Sequence, residues 1–388
     1  MVYYPDLTGR TDMDQNTGKQ TLHFAFVLFR YFPHGGLQKD FLRALQEVLS
    51  RGHRVTVFLA KQEAPLPEAE NLEVILLPVS GWSNHARMLS FSKKVLQELA
   101  KNKFDNTLMF SRLPGGDFYF AADNCLAADW SKLHHPLILK LLPRYRTFLA
   151  LEKAVLQPDS KTHILALVEQ QKRDYQSFYH TQDERFTILP AGIDPACRRP
   201  DDVPAIRRLV RERFRIPQEA ILLIQVAAQF GVKGVDRAIE AMAAQARTDL
   251  FLLVAGGGEI EKYKAIAEKH GVADRVIFAG ASSDIPHLIA AADLMIHPAR
   301  KEATGTVIVE SLAVGVPVIA SATCGYAHYT AAIDPQLVTP EPFVQNDLNT
   351  SLAYALDRLP DLTAQVLRPG RDLDFYRRAA VIADLLEK

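Results

Sequence analysis

The chain has 388 residues, of which 48% are hydrophobic and 23% are charged. This length exceeds that of a domain with one ordinary hydrophobic core and favours two domains. Basic and acidic side chains number 45 each, so no global field would attract nucleic acid, and no nucleic-acid partner is expected. Three scattered cysteines without a Cys-x-x-Cys pair argue against a disulfide framework or a zinc knuckle and fit a reducing compartment.

The chain begins with a polar segment and contains no apolar run of the roughly 18 residues that span a bilayer. Residues 1–20 also lack the apolar centre of a signal peptide, and we interpret them as a disordered tail. The sequence therefore predicts a cytoplasmic protein, or one held on the cytosolic face of a membrane.

Strand and helix patterns alternate after this tail. The apolar run at 22–29 predicts a strand, the turn at 30–36 leads into a helix with apolar residues at helical spacing, and a second strand follows at 53–60. This order is typical of a parallel sheet with helices on both faces, and we assign it to a first domain, 21–190. Further strand-like segments of this domain lie at 72–79 and 106–111.

The pattern restarts after 187–202, a segment rich in Pro, Gly and charge that is typical of a linker. We assign the second half to a domain at 191–370, and residues 371–388 to a C-terminal helix that packs back on the first domain. The fold class is therefore α/β, with two doubly wound Rossmann-like domains facing across a cleft where ligands bind. The strands predicted in the second domain lie at 220–228, 249–255, 275–280, 294–298 and 317–321.

Two features suit a phosphate. Gly35 and Gly36 follow a strand and open a helix, where the missing Cβ atoms let a phosphate or sugar approach free N–H groups. Lys233 lies at the predicted start of a helix, where its ammonium suits a diphosphate. Each has a plainer interpretation, as a tight turn and as a solvated lysine.

Metal and nicotinamide sites are not supported by the sequence. The glycines at 256–258 do not form G-x-G-x-x-G, so the dinucleotide fingerprint is missing. The Asp-x-Asp triplets at 12–14 and 372–374 do not follow core strands, and the histidines lack ligand spacing. We therefore predict no metal and no cofactor.

Two carboxylates stand out near the end of a predicted strand. Glu302 lies in the loop after strand 294–298, and Glu310 lies about one turn into the next helix. A carboxylate can accept hydrogen bonds from both hydroxyls of a ribose, at roughly 1.5–3 kcal/mol each. The plainer interpretation is that both are solvated glutamates favoured by the helix dipole.

Taken together, these pieces resemble the retaining GT-B glycosyltransferases of family four, which combine Glu-x7-Glu, a Lys-Gly helix start and an N-terminal Gly-Gly loop. From about residue 22 to the C-terminus, the chain is similar to the bacterial lipopolysaccharide core glucosyltransferase I family. The segments that carry this resemblance include "FRYFPHGGLQKDFLRAL", "FGVKGVDRAIEA", "HPARKEATGTVIVESL", "CGYAHY", "LPGGDFYFAAD" and "RYRTFLALEKAV".

The resemblance implies transfer of glucose from UDP-glucose, with retention, to an inner-core heptose of lipid-anchored lipopolysaccharide. It implies that Glu310 binds the ribose, Glu302 the donor sugar and Lys233 the diphosphate. The implied donor site also includes Gly35, Gly36, Thr304, Gly305 and Thr306, and the implied catalytic residues are Asp40, Asp117 and Glu302.

The sequence departs from the family pattern at one place. A second basic residue often stands beside the lysine or earlier in its loop, and here those positions hold Val232 and Ala228. Loss of a phosphate contact would weaken transition-state binding by a few kcal/mol, or about 10–1000-fold. Arg300 or Arg237 could compensate.

A basic, aromatic stretch at 126–154 suits a membrane surface, although a packed helix with a wet basic face is the alternative. Because the implied acceptor is lipid-anchored, we expect peripheral attachment to the anionic, cytosolic face of the inner membrane. The residues assigned to this surface are Trp130, Lys132, Lys140, Arg144 and Arg146.

Three other functions compete with this interpretation. A related transferase could use another donor or acceptor sugar, because glucose and galactose differ by one hydroxyl orientation. A degenerate module could bind nucleotide or glycan without transfer, as the substitutions at Val232 and Ala228 suggest. A nicotinamide-dependent oxidoreductase is disfavoured by the missing fingerprint.

Overall fold

The computed structural model describes residues 20–32, 35–282, 284–368 and 375–388. Apart from residue 20, the predicted tail lies outside these residues, as do both Asp-x-Asp triplets. Within them the chain forms two parallel β-sheets, and the predicted α/β fold class is confirmed.

The first sheet has seven strands in the order β3-β2-β1-β4-β5-β6-β7. Its strands are β1 His23–Tyr31, β2 Arg54–Gln62, β3 Leu72–Leu76, β4 Asn106–Met109, β5 Phe118–Ala121, β6 His163–Ala166 and β7 Phe186–Ile188. Its helices are α1 Gly36–Ser50, α2 Asn84–Lys101, α3 Leu126–Leu133, α4 Pro136–Leu141, α5 Pro143–Leu156 and α6 Glu169–Tyr179.

The second sheet has six strands in the order β10-β9-β8-β11-β12-β13. Its strands are β8 Ile221–Val226, β9 Leu250–Ala255, β10 Val276–Gly280, β11 Leu294–His297, β12 Val318–Ser321 and β13 Val338–Thr339. The helices around it are α7 Val203–Phe214, α8 Phe230–Lys233, α9 Val235–Ala244, α10 Ile260–Lys269, α11 Ile285–Ala290, α12 Thr306–Val314, α13 Ala327–Ala331, α14 Gln345–Asp357 and α15 Leu359–Val366, and the last helix is α16 Arg378–Leu386.

The central strands are continuous apolar runs because helices cover both faces of each sheet. In β1, Phe24, Phe26 and Leu28 pack into one hydrophobic cluster, while Ala25 and Val27 point to the other face and pack into a second. All five side chains are buried. The neighbouring strands of this sheet pair in parallel. Because they run in the same direction, their carboxyl ends all lie at one edge of the sheet.

The predicted strands agree with the observed ones in place but less well in length. The segment 72–79 ends as a strand at Leu76, and 106–111 ends at Met109, because the chain leaves the sheet there to enter the loops. The start of the predicted linker is β7, the edge strand of the first sheet. The proposed domain division at residue 190 falls between β7 and β8.

The last helix, α16, packs against α1 of the first sheet. Arg51, at the C-terminal end of α1, donates to Asp384 at 2.6 Å and to Glu387 at 2.9 Å. The chain therefore returns from the second sheet to the first, and α16 lies against the helix that opens with Gly36.

Candidate active site

A cavity of about 380 Å³ lies where the carboxyl ends of β1, β8 and β11 face one another across the two sheets. Residues from both halves of the chain meet there, as expected for a cleft between doubly wound sheets. Its lining contains Gly35, Gly36, Lys39, Asp40, Arg43, Gly192, Asp194, Val226, Lys233, His297, Glu302, Thr304, Gly305, Thr306, Val307 and Glu310.

The glycine pair forms the wall that belongs to the first sheet. Gly35 caps α1 with a φ of 130°, a backbone conformation that favours glycine. A Cβ atom on Gly36 would meet no described atom within 4 Å, so this position is open to the cavity. The first N–H groups of α1 lack helical acceptors and therefore offer donors to an anion.

Lys233, Glu302 and His297 form a polar cluster in the wall of the second sheet. The Lys233 ammonium donates a hydrogen bond to Glu302, and the Nε2 atom of His297 lies 3.3 Å from the same carboxylate oxygen. Burial opposes ionisation of Glu302, but the hydrogen bond from His297 and the charge of Lys233 outweigh it and lower its pKa to about 2. Glu302 is therefore a carboxylate at neutral pH.

The predicted helix start at Lys233 needs correction. Lys233 ends the short helix α8, and α9 begins at Val235. Between them Gly234 has a φ of 70°, and a Cβ there would come within 2.2 Å of the Pro298 carbonyl oxygen. The sharp turn at Gly234 joins the two helices and carries the lysine to the carboxyl edge of the sheet.

Glu310 lies on α12, in the part of the cavity that faces α1. Burial raises the pKa of Glu310, although the positive charges of Lys39 and Arg43 act in the opposite direction. The two glutamates of this cavity therefore have pKa values that are shifted in opposite directions. Lys233 and His297 favour the ionised form of Glu302, whereas burial disfavours the ionised form of Glu310.

The loop between the two glutamates supplies a second helix start. Gly305 has a φ of 82° and precedes the first residue of α12, Thr306. The carbonyl oxygen of Thr304 accepts a hydrogen bond of 2.7 Å from the Tyr326 N–H, which fixes this part of the loop. The predicted residues Thr304, Gly305 and Thr306 thus lie together at the cavity wall.

Asp40 lines the cavity, and two arginines hold its carboxylate. It forms an ion pair with Arg378 at 3.0 Å and with Arg43 at 2.8 Å, and the residue is 8% exposed. Both arginines therefore fix the position of this carboxylate at the cavity wall, and its catalytic role stays a prediction.

Asp117 lies outside the cavity, and the prediction that it faces the reacting sugar is wrong. It immediately precedes β5, so it lies at the amino end of the strand, whereas the cavity is at the carboxyl end. Its carboxylate accepts hydrogen bonds from the Thr107 N–H at 2.9 Å and hydroxyl at 2.8 Å. It fixes the pairing of two strands.

Neither proposed replacement for the missing basic residue lines this cavity in the described part of the chain. Arg300 donates to both carboxylate oxygens of Asp236, at 2.8 and 2.5 Å, and Arg237 stacks 3.5 Å from the Phe343 ring centroid. Val232 is 37% exposed beside Lys233.

Instead, the first sheet supplies positive charge through Lys39 and Arg43 of α1. Sequence reasoning missed both, because they belong to the other half of the chain from Lys233. It also missed His297, the last residue of β11. The available signals were the helical spacing of Lys39 and Arg43 after the Gly-Gly turn and the strand-end position of His297.

A second, larger cavity of about 1070 Å³ adjoins the first at Glu302. It runs between the loops after β5 and β6 on one side and the loops after β11 and β12 on the other. Lys301 crosses it to Asp129 at 2.9 Å. Lys132 and Leu133 of α3 lie at its border, so the cleft extends from Glu302 to the basic stretch.

Comparison with known proteins agrees with this geometry. A family model described as glycosyl transferases group 1 matches residues 207–362. The lipopolysaccharide glucosyltransferase WaaG of Escherichia coli K12 is 40% identical over 339 residues, which cover 87% of this chain and 90% of that protein. The chain belongs to the group 1 glycosyltransferases.

Solved structures place this glycosyltransferase in the GT-B fold. A crystal structure of WaaG, described as a glycosyltransferase involved in lipopolysaccharide biosynthesis, has a TM-score of 0.81 and 38% identity, covering 94% of this chain and 99% of that one. HepE of Anabaena in complex with UDP-glucose has a TM-score of 0.70 at 14% identity, covering 94% and 98%. The second likeness concerns the fold alone.

The predicted membrane-surface residues of this glycosyltransferase lie on α3, α4 and α5 and the turns between them. Lys132, Lys140, Arg144 and Arg146 are exposed. Trp130 is half-buried, because its indole packs 4.8 Å from the Tyr145 ring. The exposed apolar side chains among them are Leu133, Leu137, Ile138, Leu141 and Leu142.

The described residues contain neither a membrane-spanning helix nor a cluster of metal ligands. None of their helices is long and apolar enough to cross a bilayer. None of their His, Cys, Asp and Glu side chains form a group of three or more suited to a metal ion.

Proposed function

We propose that this glycosyltransferase transfers glucose from UDP-glucose, with retention of configuration, to an inner-core heptose of lipopolysaccharide. The observation that carries the donor assignment is the convergence of Lys233, Glu302 and Glu310 with two helix starts in one cavity. The acceptor assignment is supported by 40% identity to a lipopolysaccharide glucosyltransferase.

UDP would lie along the cavity wall of the second sheet. Lys233 and the N–H groups at the starts of α1 and α12 would bind the diphosphate. Glu310 would accept hydrogen bonds from the ribose hydroxyls, and Glu302 would contact the glucose. Since Lys233 is bound to Glu302 in the free protein, diphosphate binding would redirect the ammonium from the carboxylate to the phosphate.

The low pKa of Glu302 bears on the chemistry. A carboxylate with a pKa of about 2 is a weak general base, and it holds no proton to donate at neutral pH. We infer that the bond between the anomeric carbon of glucose and the UDP oxygen breaks while the heptose hydroxyl bonds to that carbon on the same face of the ring, and that a phosphate oxygen of the departing UDP accepts the hydroxyl proton. The protein would then act by positioning and by stabilising the developing negative charge.

The acceptor would reach Glu302 through the second cavity. This cavity joins the donor cavity at Glu302 and ends beside α3, which bears Lys132 and Leu133. An acceptor anchored in a membrane could therefore enter from the side on which the exposed basic and apolar residues lie.

The exposed surface of α4 and the start of α5 would attach the protein to the anionic cytosolic leaflet. Leu137 is 59% exposed and Leu141 70%, and basic side chains flank them. Changing Lys140, Arg144 and Arg146 to Ser would release the protein from anionic liposomes while UDP binding persists. Undiminished sedimentation of this variant with anionic vesicles at physiological salt would refute the attachment.

A donor panel tests the reaction. The protein is incubated with heptose-terminated lipopolysaccharide and UDP-glucose, UDP-galactose, UDP-N-acetylglucosamine or GDP-mannose, and the product linkage is determined. Transfer of α-glucose from UDP-glucose alone is expected. Preference for another donor would identify a related transferase, and UDP binding without transfer from any donor would identify a binding module.

A further inference from the structure

The buried guanidinium of Arg378 joins three parts of the chain that are distant in sequence. Its Nε atom donates to the Pro190 carbonyl at 2.8 Å, between the two sheets. Its Nη1 atom donates to both carboxylate oxygens of Asp40, at 3.1 and 3.0 Å, and its Nη2 atom donates to the Tyr326 hydroxyl. The residue is 5% exposed, and none of its three nitrogens is without a partner.

One of these partners, Asp40, lines the cavity that contains Lys233, Glu302 and Glu310, and another, Tyr326, holds a residue of the opposite wall. Asp40 is one helical turn beyond Gly36 in α1. Tyr326 donates its N–H to the carbonyl of Thr304, which lies two residues after Glu302. Through these contacts one side chain connects the glycine turn of the first sheet to the Glu302 loop of the second.

The local packing reserves space for this side chain. A Cβ atom on Gly192 would lie 2.7 Å from the Arg378 Nε atom and 2.8 Å from its Cβ atom, so a larger residue would displace the guanidinium. Although burial opposes its charge, Asp40 and Tyr326 raise the pKa of Arg378, which stays protonated. A planar guanidinium can donate in three directions at once, whereas a lysine ammonium cannot span them.

We propose that Arg378 is a positioning residue of the glycosyltransferase: it sets the separation of the two cavity walls by holding Asp40 and Tyr326, and so prepares the site for the nucleotide diphosphate. This inference rests on the proposed donor function. It also assigns Asp40 a role through Arg378 rather than contact with the reacting sugar.

Two substitutions and the double variant that combines them test it, with one matched control. Tyr326→Phe removes only the hydroxyl that Arg378 binds and keeps the ring, which packs 5.6 Å from Tyr329. Arg378→Lys keeps the charge but loses the three-way geometry, and the double variant measures whether the two act together. The control is Arg51→Gln, which weakens docking of the same helix α16 at Asp384 and Glu387, away from the cavity.

UDP affinity by calorimetry, KM for the donor, kcat and Tm are measured for each variant. We expect Arg378→Lys to weaken UDP binding and raise the donor KM by about tenfold. Tyr326→Phe should produce part of this effect, and none when added to Arg378→Lys, because the effects of coupled residues are not additive. Arg51→Gln should lower Tm with wild-type UDP affinity and KM.

Unchanged UDP affinity and KM in Arg378→Lys would overturn the positioning role, as would full additivity of the two substitutions or an equal loss of affinity in Arg51→Gln. These results leave the proposed function standing, provided that the wild-type protein binds UDP and transfers glucose. A wild-type protein that does neither would overturn both proposals.

Discussion

Replacing Glu310 by Gln is the most direct test of the donor site. The carboxylate can accept hydrogen bonds from both ribose hydroxyls, each worth roughly 1.5–3 kcal/mol when the acceptor is charged and about 0.5–1.5 kcal/mol when it is neutral. Gln keeps the size, offers one neutral oxygen and loses the charge. We therefore expect UDP binding to weaken by about 1–3 kcal/mol, or roughly 5- to 150-fold.

The matched control is Glu302→Gln. In the free protein Glu302 is bound to Lys233, so removing its charge leaves the ammonium available for the diphosphate. UDP affinity should be retained or increased in this variant, while transfer of the sugar falls. Of the two isosteric substitutions in one cavity, only Glu310→Gln is thus expected to weaken nucleotide binding.

The pH dependence of binding adds a second criterion. Burial raises the pKa of Glu310 in the free protein, and ribose hydroxyls that donate to the carboxylate would favour its ionised form. Wild-type UDP affinity should therefore fall as the pH drops through this raised pKa, and Glu310→Gln should lose that part of the dependence. Titration of UDP itself is common to both proteins.

Isothermal titration calorimetry with UDP on the wild type and both variants, at several pH values, provides the measurement. Thermal unfolding of the same samples checks that each variant is folded. Equal UDP affinities in the two variants and the wild type would refute the assignment of Glu310 to the ribose. A loss in Glu302→Gln alone would place the ribose at Glu302 instead.

Three further results are expected. Because the pKa of Glu302 is lowered from 4.5 to about 2, its ionised carboxylate contributes on the order of 3 kcal/mol to the free energy of unfolding above pH 4.5, and this contribution is lost as the pH falls towards 2. The Tm values of the wild type and Glu302→Gln should therefore converge over that pH range. Curves of Tm against pH that stay parallel would contradict the pairing of Glu302. If both positions face the phosphates, calorimetry should show that Lys39→Met weakens UDP binding severalfold and that Val232→Arg strengthens it. An unchanged UDP affinity in one of these variants would show that its position does not face the phosphates. Turnover should survive excess EDTA, and loss that magnesium or manganese restores would show that a metal is needed.

The family resemblance of several segments in the same order along the chain is enough to identify the family and the GT-B fold from the sequence. It also selected residues that the structure brings into one cavity, including Glu302, Glu310 and Lys233. This succeeded because parallel strands end at one edge, so residues just after different strands converge there. The resemblance also selected Asp117, but this residue precedes its strand and therefore lies at the opposite edge of the sheet.

Periodicity and strand-end positions by themselves determined the α/β class, the two sheets and the approximate place of the carboxylates, since these depend on local patterns. Only the tertiary structure decided which charges meet. Asp40 and Arg378 are separated by 338 positions, and Lys233 and Glu302 by 69. Neither pair could be predicted from sequence spacing. The Asp40–Arg378 pair depends on how α16 packs on α1, and the Lys233–Glu302 pair depends on how two loops of one sheet converge. Burial and neighbouring charges then decide which carboxylate stays ionised.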